Sequence, residues 1–460
     1  MKSKFPFVLF VLLFVGVTSV YSQVDYVIVN SVTINGNYKT KEHIITRELD
    51  FAVGDTIFLK DTAAVIRSTK NKLYNTTLFN GSTIIFIPYT PPLVNVYIEV
   101  RERWYIWPSP IFELGDRNFN EWWQDRDKEW DRVQYGMRFR WDNFRGRNEQ
   151  LKLVTQFGFT KKFELFHSVP YINKSQTLGI KYGASYSTNK QVAYATLGDK
   201  LAYFKGDDPN RKRFYSLVSF ISRPKFFNTH ALTFTYKNNW VSDTITQLNN
   251  NYFANGDTKQ QFLDIAYEYK INTTDIRAYP LNGIVFLLNA SKTLGDANLE
   301  TLIGSFAWFK PISDNLFFVT KAYGKTISAD NIPYFNMLGF GYEQNFVRGF
   351  ERQVIDAQHF AYNRNSIRWK ILQLKQDINY MMPLEEFNEI PYAFYLTSFI
   401  DAGVSKLNTT SPFNSLNNEA LISAGLGLDI VTYYDLVFRF EYALTNKKTN
   451  GFYIHFEQAF

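Results

Sequence analysis

The chain has 460 residues, no cysteine, 43 Phe, 30 Tyr and 9 Trp, and a formal charge of +7. Without cysteine there can be no disulfide, no zinc–thiolate site and no thiol nucleophile. The basic residues form no clustered patch, so the modest positive excess does not point to nucleic acid.

Lys2 and Lys4 precede an uncharged Phe/Val/Leu-rich run from Phe5 to Val20, and Val20-Tyr21-Ser22 offers a cleavage site. Residues 1–22 therefore read as a secretory signal peptide, with Gln23 as the first mature residue. The competing reading, a membrane anchor, needs a longer apolar run and a stop-transfer flank. No later segment reaches about 18 uncharged apolar residues, the length a spanning helix requires. With this aromatic load, strands whose apolar residues alternate with polar ones are expected instead. An exported chain without disulfides needs another source of stability, and a closed hydrogen-bonded barrel is one.

Residues 24–103 read as a small α+β domain. Val27 to Ile34 alternates and ends in the turn Asn35-Gly36-Asn37, after which Thr40 can cap a helix carrying Ile44, Ile45 and Leu49. A second helix is predicted from about Asp61, with Val65, Ile66, Thr69 and Leu73 at helical spacing. Strands follow at Thr83–Ile87 and at Val94, Val96, Ile98 and Val100. This order, with Val32-x-Ile34-x-Gly36-Asn37-x-Lys39-Thr40, Arg47-Glu48-Leu49, Gly54-Asp55 and Leu73-Tyr74-x-Thr76-x-Leu78-Phe79, resembles a POTRA domain. The resemblance implies a periplasmic module that receives client chains along an exposed strand edge, where main-chain hydrogen bonds ignore client sequence.

Residues 104–131 read as a linker rich in aromatics and proline: Trp104-Tyr105-x-Trp107-Pro108-x-Pro110, Asp116-Arg117-Asn118-Phe119 and Trp122-Trp123. Its rings suit either anchoring at a membrane interface or packing between two domains. Residues 132–460 then repeat one unit, an alternating run and a turn. In the first run Val133, Tyr135, Met137, Phe139 and Trp141 share one face, opposite Gln134, Arg138, Arg140 and Asp142. About sixteen such runs begin near residues 132, 149, 162, 175, 190 and 212 and continue to the terminus, an even number that returns both barrel ends to one side. The last run places Phe452, Ile454, Phe456 and Phe460 on one face, and a terminal strand finishing in Phe looks like the targeting signal of bacterial outer-membrane barrels. The expected fold is therefore an α+β POTRA-like domain followed by an all-β, sixteen-stranded antiparallel transmembrane barrel in the bacterial outer membrane.

Several motifs fall in order along the barrel. Asp275-x-Arg277-x-x-Pro280-x-x-Gly283 opens the ninth strand, Phe346-Val347-Arg348-Gly349-Phe350 lies between the eleventh and twelfth, and Phe399-x-Asp401-x-Gly403 sits in the thirteenth. Together with the POTRA-like domain they resemble the BamA-like surface-antigen superfamily of outer-membrane assembly and translocation proteins. The resemblance implies that the long loop folds into the lumen and that its arginine meets an acidic residue of the wall. Alternation turns Thr397, Phe399, Asp401 and Gly403 inward and Leu396, Ile400 and Val404 towards lipid. Arg348 is thus expected to form a bidentate pair with Asp401, with Gly349 allowing close approach and Phe350 packing on the wall. The barrel seam is expected between Val133–Trp141 and Phe452–Phe460.

The histidines at 43, 167, 230, 359 and 455 show no ligand spacing, and no nucleophile elbow, phosphate loop or His-Glu-x-x-His occurs. No enzymatic activity, cofactor or metal is expected. The leading expectation is insertion of other proteins into the outer membrane through a lateral gate at the seam. The partners would be membrane lipids, unfolded client barrels and periplasmic chaperones or accessory proteins. A secretion pore is the alternative, and a passive porin leaves the POTRA-like domain unexplained.

Overall fold

The computed structural model describes residues 25–117, 121–329, 332–342, 345–378, 387, 389–407, 414–432, 434 and 436–458. The expected signal peptide and Phe460 lie outside them.

The small domain comprises β1 (Tyr26–Asn35), α1 (Glu42–Thr46), β2 (Thr56–Phe58), α2 (Thr62–Asn75), β3 (Phe79–Pro88) and β4 (Leu93–Glu102). Its strands lie in the order β2-β1-β4-β3, with β1 and β4 parallel, so β3 is a long open edge. One face of the sheet buries Val29, Val96 and Ile98 against Ile44 and Ile45 of α1 and Leu73 of α2, as their spacings require. Thr40 does not cap α1. Its hydroxyl instead donates to Glu102 Oε1 (2.5 Å) and accepts from Asn143 Nδ2 (2.8 Å), so it serves the junction with the second domain.

That second domain is one sixteen-stranded antiparallel sheet. Its strands are β5 (Ile106–Leu114), β6 (Val133–Phe144), β7 (Glu149–Gly158), β8 (Thr160–Val169) and β9 (Leu178–Asn189). After a separate hairpin, β10 (Gln191–Leu197) and β11 (Lys200–Lys205), come β12 (Arg211–Lys225), β13 (Asn228–Val241) and, beyond α3 (Asp243–Leu248), β14 (Lys259–Asn272). The sheet continues through β15 (Gly283–Gly295), β16 (Glu300–Pro311), β17 (Leu316–Ser328), β18 (His359–Asp377) and β19 (Glu389–Lys406). It ends with β20 (Ala420–Val431), β21 (Leu436–Thr445) and β22 (Asn450–Gln458). Outward apolar and inward polar residues alternate as expected: Ile400 is 58% exposed, whereas its neighbour Asp401 is 1% exposed.

Two sequence expectations fail here and cancel in the strand count. Residues 104–131 are not a linker, because Ile106–Leu114 is the first barrel strand, paired with β6. Its two prolines argue against a strand interior, and they are tolerated because β5 ends the sheet. The run near residue 190 is a true strand but pairs only with β11, outside the barrel. Periodicity reports that a strand exists and is silent on its partner. The first four runs are therefore each one place later in the barrel than expected, which reverses the side on which their connections emerge. The ninth, eleventh, twelfth and thirteenth strands keep their places.

Further structure packs at both ends of the barrel. The small domain docks on the near-end turns: Lys41 N–H donates to the Gly146 carbonyl (2.9 Å), Arg47 Nε to the Gln176 carbonyl (2.9 Å) and Arg223 Nη1 to Glu48 Oε1 (3.2 Å). Tyr105 is buried in the core of the small domain and its Oη donates to the Leu78 carbonyl (3.0 Å), so the start of the aromatic stretch serves contact between the domains, while Trp107 of β5 packs edge-on against Tyr434 within the barrel (4.9 Å between ring centroids). At the far end, Val192, Val241, Ile245, Tyr252 and Phe253 form a small core beneath the β10–β11 hairpin.

Candidate functional site

The connection between β17 and β18 turns back into the barrel and carries the Phe346–Phe350 motif against the inner wall. Arg348 Nε donates to Asp401 Oδ2 (2.7 Å) and Nη2 to Oδ1 (2.6 Å), a planar two-point match. Nη1 reaches Glu441 Oε1 (3.1 Å), and Nη2 also reaches Ser366 Oγ (3.1 Å). The guanidinium lies 3.8 Å from the centroid of the Phe399 ring, so its face is covered as well as its edges. Arg348 is 8% exposed and Glu441 2%. Charges this deep are tolerable only when paired and hydrogen-bonded, and here they are.

Gly349 has φ +89°, and a Cβ there would stand 2.8 Å from Thr445 Cγ2. Its carbonyl accepts from Tyr453 Oη of β22 (3.0 Å). Val347 and Phe350 are buried with Phe340, Ile355 and Phe360. Gly403 makes room for this packing, since a Cβ on it would stand 2.5 Å from Val347 Cγ2. The Phe346 ring stacks on His455 (5.6 Å, 10°), its carbonyl accepts from Arg364 Nε (2.9 Å), and the Arg364 guanidinium lies 4.2 Å from the ring.

The structure thus brings Phe346, Val347, Arg348, Gly349, Phe350, Phe399, Asp401 and Gly403 into one cluster. It adds Glu441, Ser366, Arg364, Tyr453 and His455, which sequence reasoning did not place there. The inward alternation of Glu441 and His455 was visible, but nothing in it named the loop as their partner. Glu351, Glu441 and His455 place donor atoms within 4.8 Å of one another, a spacing a metal could use. Arg348 already engages Glu441, and His455 Nε2 stands 3.2 Å from Glu351 Oε2 and 3.5 Å from Glu441 Oε2, so the group reads as a charge bridge. Arg117 fastens the loop from the far end, donating from Nη1 to the Gly341 carbonyl (3.0 Å) and from Nη2 to that of Arg352 (2.9 Å).

The Asp275 motif lies apart, in the near-end turn before β15. Asp275 Oδ1 accepts from the N–H groups of Ile276 (2.8 Å), Leu281 (3.1 Å) and Asn282 (3.2 Å), which shapes the turn. Asn75, the last residue of α2, then clamps it: Nδ2 donates to the Asp275 carbonyl (2.8 Å) and Oδ1 accepts from Arg277 N–H (2.9 Å). The Pro280 carbonyl accepts from Arg368 Nη1 (3.2 Å), and Gly283 takes φ +112° where the chain enters β15. These residues position the small domain against the barrel.

The expected seam is corrected. Val133, Tyr135, Met137, Phe139 and Trp141 belong to β6, which is laddered on both sides, to β5 and to β7. The sheet ends are β5 and β22, and no ladder joins them among the described residues. On β22, Phe452, Ile454 and Phe456 face outward and are exposed.

Comparison with known proteins accords with this architecture. A family model described as the Omp85 superfamily domain matches residues 143–460, and one described as the surface antigen variable number repeat (POTRA) matches residues 27–103. No curated protein matches the chain. Among solved structures, BamA from Haemophilus ducreyi lacking POTRA domains 1–3 is similar with a TM-score of 0.53 and 15% identity, over 94% of this chain and 83% of that one. CdiB from Escherichia coli is similar with a TM-score of 0.53 and 14% identity, over 94% and 75%. CdiB from Acinetobacter baumannii reaches 0.50 with 12% identity, over 94% and 74%.

Proposed function

This chain belongs to the Omp85 superfamily of outer-membrane β-barrels with periplasmic POTRA domains, and from that premise we propose that it inserts other proteins into the outer membrane at its seam. The observation that carries this reading is the pair of sheet ends. Neighbouring barrel strands are laddered throughout, while β5 and β22 are not laddered to each other among the described residues. In hydrocarbon, unpaired backbone is costly, so such an edge is a template for an incoming strand. Client segments would first line the open edge of β3 and then pass to the seam, using main-chain bonds in both places. Outer-membrane lipids and unfolded barrel proteins are the partners this requires, and no catalytic step enters.

A secretion pore is the competing reading, and the likeness in fold to CdiB keeps it in view. The loop held inside the barrel by Arg348 favours the lateral route. A chain crossing the barrel would have to displace the Arg348 loop, the far-end cover and the small domain together, whereas insertion at the seam leaves all of them in place.

The chain is free of cysteine, so a cysteine on β5 and another on β22 would form its only disulfide. Oxidation is expected to stop client assembly and reduction to restore it. Unimpaired assembly with the seam locked would rule out the lateral gate. Depletion followed by proteomics separates the readings: loss of barrel proteins from the membrane supports insertion, and loss of a secreted protein from the medium supports the pore.

A further inference from the structure

One arginine of the lumen wall has no counter-charge. On β12, Lys212 and Phe214 are exposed on the outer face, so Arg211 and Arg213 point into the barrel. The Arg213 side chain makes no hydrogen bond, ion pair or ring contact among the described residues, and its Nε–H is buried without an acceptor. The ionisable groups within electrostatic range of it are Arg211, Tyr252 and Tyr215; no carboxylate is among them. Arg211 in turn donates to a neutral group, from Nη2 to Asn189 Oδ1 (3.1 Å).

Sheet register sets two amides beside this arginine. Arg213 pairs with Asn239 of β13, and Asn239 with Gln260 of β14, so the three side chains stand in one row across the wall. Asn239 is 4% exposed, and its Nδ2 is a second buried donor without an acceptor. Gln260 is 1% exposed; its Nε2 donates to Asn336 Oδ1 (3.0 Å), while its Oε1 is buried without a donor. Turning the Asn239 amide would offer the guanidinium one neutral oxygen against five N–H groups. Arginine cannot shed its proton to escape burial, so a charge held this way is costly until an anion meets it.

We propose that Arg213, Asn239 and Gln260, with Arg211 adding charge, bind a small protonated oxyanion, hydrogen phosphate, on the lumen wall beneath the far-end core. The planar guanidinium and the Asn239 N–H group suit phosphate oxygens, and the phosphate O–H supplies the donor that Gln260 Oε1 lacks. A lipid headgroup does not reach the site, because these residues face the lumen and the membrane lies behind their strands. The anion ties the wall to the structure above it. Gln260 already holds Asn336, and the adjoining Tyr334 and Phe335 pack on Tyr252 of the far-end core, with ring centroids 6.0 and 5.9 Å away. Occupancy of the site therefore steadies the far-end cover, independently of what happens at the seam.

The test purifies the full chain in detergent into phosphate-free chloride buffer and titrates inorganic phosphate at constant ionic strength. The wild-type unfolding transition, read by heat-modifiable migration, should rise saturably with phosphate, and hydrogen exchange over residues 243–256 and 334–336 should slow several-fold. Arg213→Gln should weaken phosphate binding by about tenfold or more, and Asn239→Leu by a smaller factor. In phosphate-free buffer Arg213→Gln should match or exceed wild type in stability, because it removes a buried cation that nothing pairs; with phosphate present the order reverses. Sulfate, which brings no O–H to Gln260, should protect less than phosphate, and equal protection by sulfate or by chloride would overturn the assignment of the ligand. A wild-type transition indifferent to phosphate, or a phosphate response that survives intact in Arg213→Gln, would overturn the site. So would an Arg213→Gln protein that is less stable than wild type without phosphate, since groups of the protein would then already be pairing the guanidinium.

Discussion

Replacing Arg348 by Ala should remove the principal tie between the inward loop and the barrel wall. The substitution deletes the two-point pair with Asp401, the bond to Glu441, the bond to Ser366 and the cover over Phe399. Its larger effect is on what remains: Asp401 and Glu441, 1% and 2% exposed, become carboxylates without their cation. Breaking one side of a buried pair costs about 3–5 kcal/mol, less than the sum of the separate bonds because they share one group. That range corresponds to roughly two to nearly four powers of ten in the folded-to-unfolded ratio. With a urea slope of about 3 kcal/mol per M, the unfolding midpoint in detergent should fall by roughly 1–2 M.

Tryptophan fluorescence and heat-modifiable migration read that midpoint independently. Arg348→Lys should fall between wild type and Arg348→Ala, because it keeps the charge and loses the planar match and the flat stack. The exchanged pair Arg348→Asp with Asp401→Arg, which a two-residue lock would predict to recover much of the loss, should recover little. Glu441 faces position 348 and would meet a like charge there; adding Glu441→Gln should release the recovery. A midpoint for Arg348→Ala within about 0.3 M of wild type would refute the assignment of this loop as a lock.

Gly349→Ala should cost about 1–3 kcal/mol in the same urea assay, because the residue holds φ +89° and the new methyl would stand 2.8 Å from Thr445 Cγ2 and 3.1 Å from Ala443 Cβ. Asn75→Ala removes both bonds to the Asp275 turn and should weaken docking of the small domain by about 1–2 kcal/mol, seen as faster hydrogen exchange over residues 273–282 with the barrel midpoint unchanged. At the far end, burial alone would raise the Asp125 carboxyl, but hydrogen bonds from Lys200 (2.7 Å) and Arg352 (2.8 Å) outweigh it and hold it below the usual carboxylate value. A depressed carboxyl contributes stability above its unfolded value and loses it as pH falls through the folded one. Hydrogen exchange around residues 121–125 and 199–205 should therefore rise on acidification below the usual carboxylate range, and Asp125→Asn should abolish that dependence.

Much of the lumen cluster was legible because strand alternation is a local property. The spacing that turns Asp401 inward and Ile400 outward depends on the pleat alone, so it survives any tertiary arrangement. The small domain was legible for a similar reason: Ile44, Ile45 and Leu73 fall at helical spacings and must be buried together. Glu441 and His455 were visible as inward residues, yet their meeting with Arg348 and Glu351 depends on how a long loop is laid across the lumen. Thr40 was misread as a helix cap because its real partners, Glu102 and Asn143, are distant in sequence.

Sequence alone therefore determined that the sixteen runs it picked out are strands, which residues of each run share a face, and which family motifs they carry, since each follows from short-range geometry. Only tertiary structure decided which strands are neighbours. Ile106–Leu114 reads as a linker until β6 pairs with it, and the run at Gln191 reads as a barrel strand until β11 claims it. Hydrogen-bond partnership between strands is a long-range choice that no periodicity encodes, and at the seam that choice settles where the sheet ends. With the ends known, Pro108 and Pro110 change from breakers in a linker to residues of an end strand, where a missing N–H is tolerated.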